Sequence, residues 1–236
     1  MANLCLRPKV CRYWKGLVSI MTFAEIARQL AGGMGVSIQL FLVTLLFSLP
    51  LGLLVALGRM SRNKLLSGFM KFYISIMRGT PLMLQLMVVY FGPYYIFGIK
   101  VTNDYRIWAA LIGFVLNYAA YFAEIYRSGI QSMPVGQYEA AKLLGYSRVQ
   151  TFFVIILPQV IKRILPSVTN EVITLVKDTS LAFTISVAEM FTTAKALASS
   201  QMSMVPFVAA GLFYYIFNFV VAWVMERAEK KLDYYR

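Results

Sequence analysis

Residues 139–158 read EAAKLLGYSRVQTFFVIILP, and this stretch decides how the rest of the chain is organised. A short polar segment, residues 136–148, interrupts an otherwise apolar protein. It follows Met133-Pro134, and proline disfavours helix in the residue before it. The pattern predicts a brief helix with Glu139 in its first turn, where an acid suits the helix dipole. Gly145 stands where such a helix would end. A second long apolar run begins at Thr151. A small amphipathic helix between two membrane spans, with Gly136, Ala140, Ala141 and Gly145 leaving room for close approach, reads as a docking element.

Composition sets the class around that element. The 236 residues are 59% hydrophobic with a mean hydropathy of +0.67, whereas soluble domains are about half apolar or less. The excess is gathered in stretches of the length that membrane helices require. Backbone groups in lipid must be satisfied internally, so such stretches imply helices, and the short alternating segments of a barrel are missing. The reading is an all-α polytopic membrane protein with about five spans, near residues 34–57, 69–97, 108–126, 152–176 and 205–225. The second is interrupted at Arg78-Gly79-Thr80-Pro81, and the fourth contains Pro158 and Pro166. Residues 184–200 are mixed in character and read as a re-entrant or short outer helix. One membrane domain over 34–232 is expected, with its polar loop at about 134–150. Residues 1–33 form an interfacial lead-in and 233–236 a tail.

Charge gives the orientation. Arg59, Arg62, Lys64 and Lys71 lie between spans one and two with no acid among them. Arg127, Lys142 and Arg148 fall between spans three and four, and Arg227, Lys230, Lys231 and Arg236 follow span five. With five spans all three groups share one side, which the positive-inside rule makes cytoplasmic. The N-terminus is then outside and the C-terminus inside, although Arg7, Lys9, Arg12 and Lys15 oppose this locally. The net charge of +13 reflects this asymmetry and not a nucleic-acid surface, because the basic residues flank lipid spans.

The chemistry the chain can perform is narrow. There is no histidine, and Cys5 and Cys11 are the only cysteines, so a metal site is not expected. The two cysteines are open to a disulfide or to two free thiols. Residues 7–23 faintly resemble a signal sequence, but the apolar part is short, so an uncleaved amphipathic segment over 21–30 fits better. No G-x-x-x-x-G-K-[ST] loop, Ser/His/Asp set or catalytic carboxylate pair is present. No enzyme and no cofactor are expected on this chain.

Glu139-Ala140-Ala141, three residues, Gly145, nine residues, Ile155, one residue and Leu157-Pro158 together resemble the EAA loop of permease subunits of ABC importers. Further segments resemble the polar amino-acid branch of that family, the histidine, glutamine, arginine and cystine permeases. Arg78-Gly79-Thr80-Pro81 followed by Leu-Met-Leu-Gln-Leu is similar to its RGTPL..Q signature, and 124–130 to its AEI.R.GI segment. Leu157-Pro158-Gln159 and Lys177-Asp178-Thr179-Ser180-Leu181 match its LPQ and K(D/E)(T/S)SL patterns, with Asn170-Glu171 between them. The resemblance covers about 36–232. It implies the type I importer permease fold and a translocation pathway shared with a second permease subunit, itself or a sister chain. It also implies a separate ATPase dimer that holds ATP and Mg and docks on Gly136, Glu139, Ala140, Ala141 and Gly145. A periplasmic or extracellular solute-binding protein would deliver a polar amino acid. The place implied is a bacterial plasma membrane, in contact with lipid.

Polar residues inside spans are the substrate candidates, because an intramembrane carboxylate is costly and faces a cavity or a partner. Asn117 and Tyr118 lie mid-span, Asn170 and Glu171 in the later half of span four, and Thr80 at the interruption. Glu171 is a natural partner for an ammonium, with Asn170, Asn117 or Thr80 donating to a carboxylate. Arg78, Glu124, Arg127, Lys177 and Asp178 are gate or structural candidates. Glu171 and Glu124 have an alternative use in pairing with Arg78, Arg127 or Lys177, and Lys177 with Asp178. A stand-alone channel or secondary transporter is the competing function. Its marks would be internal repeats or relays of acids through several spans, and neither is evident.

Overall fold

The protein is described by a computed structural model covering residues 22–100 and 102–232, and among these residues there are helices and turns but no strand. Helix α1 runs over Phe23–Arg59. Thr22 accepts from the Glu25 N–H, and the Glu25 carboxylate accepts from the Thr22 N–H. This reciprocal cap fixes where the helix starts. The sequence reading starts the first span at 34 and leaves 1–33 as an interfacial lead-in. The structure corrects the second part of that segment. Residues 23–33 are the opening turns of one 37-residue helix, and Ile26 and Leu30 are enclosed by protein, clustered with Met190, Ala194 and Leu197. A helix face covered by other helices is not free to lie on lipid. Residues 1–21, with Cys5, Cys11 and the basic segment, fall outside the described residues.

The expected interruption of the second span is a sharp bend. Helix α2, Lys64–Gly79, is capped by Asn63, whose side chain accepts from the Leu65 and Leu66 N–H groups. It ends at Thr80 in extended conformation, and Pro81 precedes α3, Leu82–Phe97. The two helices meet at 110°. Each has 16 residues, about 24 Å at about 1.5 Å per residue, so neither alone crosses a hydrocarbon core about 30 Å thick.

Helix α4, Tyr105–Gln131, is the most enclosed span. Its Ala109, Phe114, Tyr118 and Phe122 share a core with Leu40 and Phe41 of α1, Leu86 of α3, and Val172 and Leu175 of the helix designated α7 below. After it come α5, Val135–Leu143, and the single turn α6, Arg148–Gln150. A widened π-helical turn, Thr151–Ile156, leads into α7, Leu157–Asp178. The widened turn sits directly before Pro158, which lacks an N–H and crowds the carbonyl four residues back. A 3-10 segment, Thr179–Ile185, then connects to α8, Met190–Gln201, and α9, Val205–Leu232.

The directions of these helices collect the basic loops. Val55 and Ala56 late in α1 cluster with Ala120 and Ala123 late in α4, so the two helices run the same way. Asp178 meets Tyr118 and Arg163 meets Ser132, so α7 runs against α4. Glu229 near the end of α9 reaches Thr169. The end of α1, the α5–α6 loop and the end of α9 therefore share one end of the bundle. At the other end α1, α8 and α9 pack together, and a Cβ on Gly33 would lie 2.8 Å from the Met190 Cα.

Candidate functional site

The bend between α2 and α3 frees backbone carbonyls inside the bundle, and a local amide network takes them up. Asn117 donates to the Met77 carbonyl (3.1 Å) and to Gln85 Oε1 (2.9 Å). Gln85 Nε2 lies within bonding distance of the Met77 carbonyl, the Thr80 carbonyl and Thr80 Oγ1, at 3.0, 3.1 and 2.8 Å. Thr80 Oγ1 donates to the Ile76 carbonyl at 2.8 Å. Thr80 and Asn117 thus hold the break open, and they also line what it creates.

That space is a cavity of about 100 Å³ bounded by Thr80, Leu82, Asn117, Tyr118, Tyr121, Glu171, Thr174 and Asp178. Tyr118, almost fully buried, donates to Asp178 Oδ2 at 2.7 Å. A larger chamber of about 360 Å³ adjoins it, lined by Arg78, Tyr121, Glu124, Ser128, Ser132, Arg163, Ser167 and Glu171 among others. Tyr121 and Glu171 belong to both walls. Glu171 is half-buried and accepts no hydrogen bond from another described residue. An acidic acceptor at the junction, beside hydroxyl and amide groups, suits a ligand that carries an ammonium.

Of the substrate candidates, Thr80, Asn117, Tyr118 and Glu171 converge on the small cavity, and Asn170 does not. It is exposed on the neighbouring stripe of α7, together with Lys177, and lines neither chamber. Asp178 is held by Tyr118, and no Lys177–Asp178 ion pair is found among the described residues. The alternative pairing for Glu124 is the one observed: it is bound by Arg127, one turn away on α4, through two guanidinium nitrogens. Arg78 places its guanidinium 5.3 Å from the centre of the Tyr121 ring, on the wall of the larger chamber.

Three polar residues here have no role assigned from sequence. Gln85 stands in a quoted motif, but its use depends on the bend. Arg163 donates to the Ser132 carbonyl at 2.8 Å and ties α7 to the end of α4. Glu189 is completely buried. Its carboxylate accepts from the Phe191 and Thr192 N–H groups at 2.6 Å each, from the Thr192 hydroxyl at 2.9 Å and from the Tyr214 hydroxyl at 3.1 Å. An acid just before a predicted helix start was the available signal.

At the basic end, α5 stands out from the bundle. Val135 follows Pro134 and opens the helix, so Glu139 is its fifth residue and not, as the sequence reading has it, part of the first turn. The helix ends as expected. Gly145 adopts φ +82°, the Tyr146 N–H bonds to the Ala141 carbonyl and the Gly145 N–H to the Lys142 carbonyl, a pattern that needs a left-handed residue. Ala141 faces inward, while Gly136, Glu139, Ala140 and Gly145 are exposed. So are Leu143, Leu144 and Val149, with Leu143 89% exposed. Gln137 bonds Gln159 at 2.9 Å and holds α5 against α7.

This combination of a broken-span bundle and a protruding helix between two spans defines a membrane transport subunit. Residues 48–234 match the family described as "Binding-protein-dependent transport system inner membrane component", and the chain belongs to that family. The L-cystine transport system permease protein TcyB of Bacillus subtilis is 37% identical over 209 residues, covering 87% of each chain. A probable amino-acid ABC transporter permease protein of the same organism, YckA, is 38% identical over 94% of this chain and 97% of its own. A solved structure described as an amino acid ABC transporter with histidines superposes with a TM-score of 0.80 at 28% identity, covering 89% of this chain and 99% of that one. The inward-facing MetNI methionine ABC transporter shares the fold, with a TM-score of 0.66 at 16% identity. The fold is that of a type I importer permease.

Proposed function

We propose that this chain is the membrane-spanning subunit of an ATP-driven importer of a polar amino acid. The observation that carries the reading is α5: a short exposed helix between two spans with the Glu139-Ala140-Ala141 register, a left-handed Gly145 and apolar Leu143 and Leu144 turned outward. In a permease of this family such a helix seats in a separate ATPase, which holds ATP and Mg. Closure of the ATPase dimer would shift the cavity between inward- and outward-facing states, and differential affinity between those states drives uptake. The pathway is shared with a second permease subunit, identical or sister, and a solute-binding protein outside the membrane supplies cargo. The bundle sits in a bacterial plasma membrane with its basic end cytoplasmic and its N-terminus outside. Glu171 takes the cargo ammonium, with Asn117 and Thr80 beside it.

Gentle solubilisation of the tagged protein from its native membrane tests the coupling. An ATPase should copurify with wild type and be lost with Leu143→Asp, which changes an exposed side chain only, and with Gly145→Arg, which destroys the helix end. A folded wild type that brings down no ATPase returns the stand-alone channel or secondary transporter to first place. In the assembled complex, Glu171→Gln should abolish uptake while leaving basal ATP hydrolysis intact. Uptake at the wild-type rate would remove Glu171 from the pathway.

A further inference from the structure

The hairpin between α1 and α2 carries charge that neither the cavity nor α5 uses. No Asp or Glu occurs between Glu25 and Asp104, yet Arg59, Arg62, Lys64 and Lys71 all fall in that interval. Arg59 is turned inward, its guanidinium 3.3 Å from the Ser67 hydroxyl, which in turn donates to the Arg59 carbonyl at 2.7 Å. This bracing, with the Asn63 cap, fixes the hairpin. Arg62, Lys64 and Lys71 are exposed. Lys64 and Lys71, seven residues apart, share one face of α2. The adjoining face carries Leu65, Phe69 and Phe72, exposed by 86%, 66% and 64%. Ile74 is the one α2 residue that is fully buried.

A cationic stripe beside an exposed aromatic stripe, on a helix barely enclosed by its own chain, matches one molecule in both halves. We propose that the α1–α2 hairpin binds an anionic phospholipid. The phosphate-bearing headgroup sits at Arg62 and Lys64, and Lys71 reaches it from higher in the helix by extending its apolar stem. The acyl chains lie along Leu65, Phe69 and Phe72. At the C-terminal basic segment Glu226 and Glu229 stand among Arg227, Lys230 and Lys231, so the charge there is partly compensated, whereas the hairpin's is not. The site goes beyond the transport reading and does not depend on it.

The test is native mass spectrometry of the purified complex, equilibrated with equal amounts of dioleoylphosphatidylglycerol and dioleoylphosphatidylcholine. Wild type should retain the anionic lipid preferentially, and added salt should erode the preference. Lys71→Gln should lower it by about fivefold, the worth of one cation beside an anionic surface. Lys71→Arg and Lys230→Gln should keep it. The double variant Lys64→Gln/Lys71→Gln should bring the ratio close to one. Equal retention of both lipids by wild type overturns the proposal, as does a preference that survives Lys71→Gln unchanged. Loss of the copurified ATPase in Lys71→Gln with the lipid preference intact overturns it too, by assigning the hairpin to a protein partner. Wild type alone decides the matter if the double variant fails to insert.

Discussion

Asn117 shows how one side chain serves two purposes at the bend. Its amide donates to Gln85 Oε1 and shares the Met77 carbonyl with Gln85 Nε2. Asn117→Leu keeps the volume but strands Gln85 Oε1 and leaves the Met77 carbonyl to Gln85 alone, and an unsatisfied buried group costs about 1–3 kcal/mol. Thermal unfolding of the purified complex should therefore drop by several degrees, and Asn117→Gln should fall by less. Asn117 was legible in the sequence as a lone amide in an apolar run. Gln85 stood equally alone in its own run, but its partners are set by a 110° bend whose geometry no spacing encodes. Asn170 fails the other way. It neighbours Glu171, but one step along a helix is a turn of about 100°, enough to move it off the chamber wall.

The elements divide in the same manner. The end of α5 was readable because Gly145 and the polar run are local signals, and the interruption of the second span was readable from Gly79 and Pro81. The start of α5 was misplaced because Pro134 initiates at once, with Val135 as the first helical residue. The opening of α8 was less visible. Glu189 caps that helix and at the same time receives Tyr214 of α9, 25 residues further on. Ser37 of α1 donates within 3.5 Å of the same carboxylate. Removing one acceptor that serves three helices is more costly than removing an ordinary cap, which is worth about 1 kcal/mol. Glu189→Ala should lower the unfolding temperature more than Glu189→Gln, which keeps one carbonyl oxygen. Hydrogen exchange in α8 should rise well before exchange in α4, and equal protection of the two helices would show that the carboxylate is not what holds α8.

At the scale of the molecule, the spans and their count followed from composition, but the packing partners of the N-terminal turns did not. Ile26 and Leu30 read as one side of an amphipathic lead-in, and only the fold reveals that α8 and α9 cover them. Leu30→Ala should cost about 2–5 kcal/mol by leaving a cavity, measured as earlier loss of protection over residues 23–37 with the α2–α3 bend unaffected.

Helix α1 has 37 residues, about 55 Å at about 1.5 Å per residue, nearly twice the thickness of a hydrocarbon core. With Arg59 at one boundary, the surplus of about 25 Å stands beyond the other. Ile26 and Leu30 sit in those surplus turns, packed against α8, so this end of α1 should meet headgroups and water. Its cohesion is the ordinary aqueous hydrophobic effect, which weakens with urea and on cooling, while the buried spans beneath it answer to lipid. A protein that looks from its composition like a creature of the bilayer thus has two solvents. Urea should loosen the N-terminal turns of α1 while the bundle in the membrane stays whole.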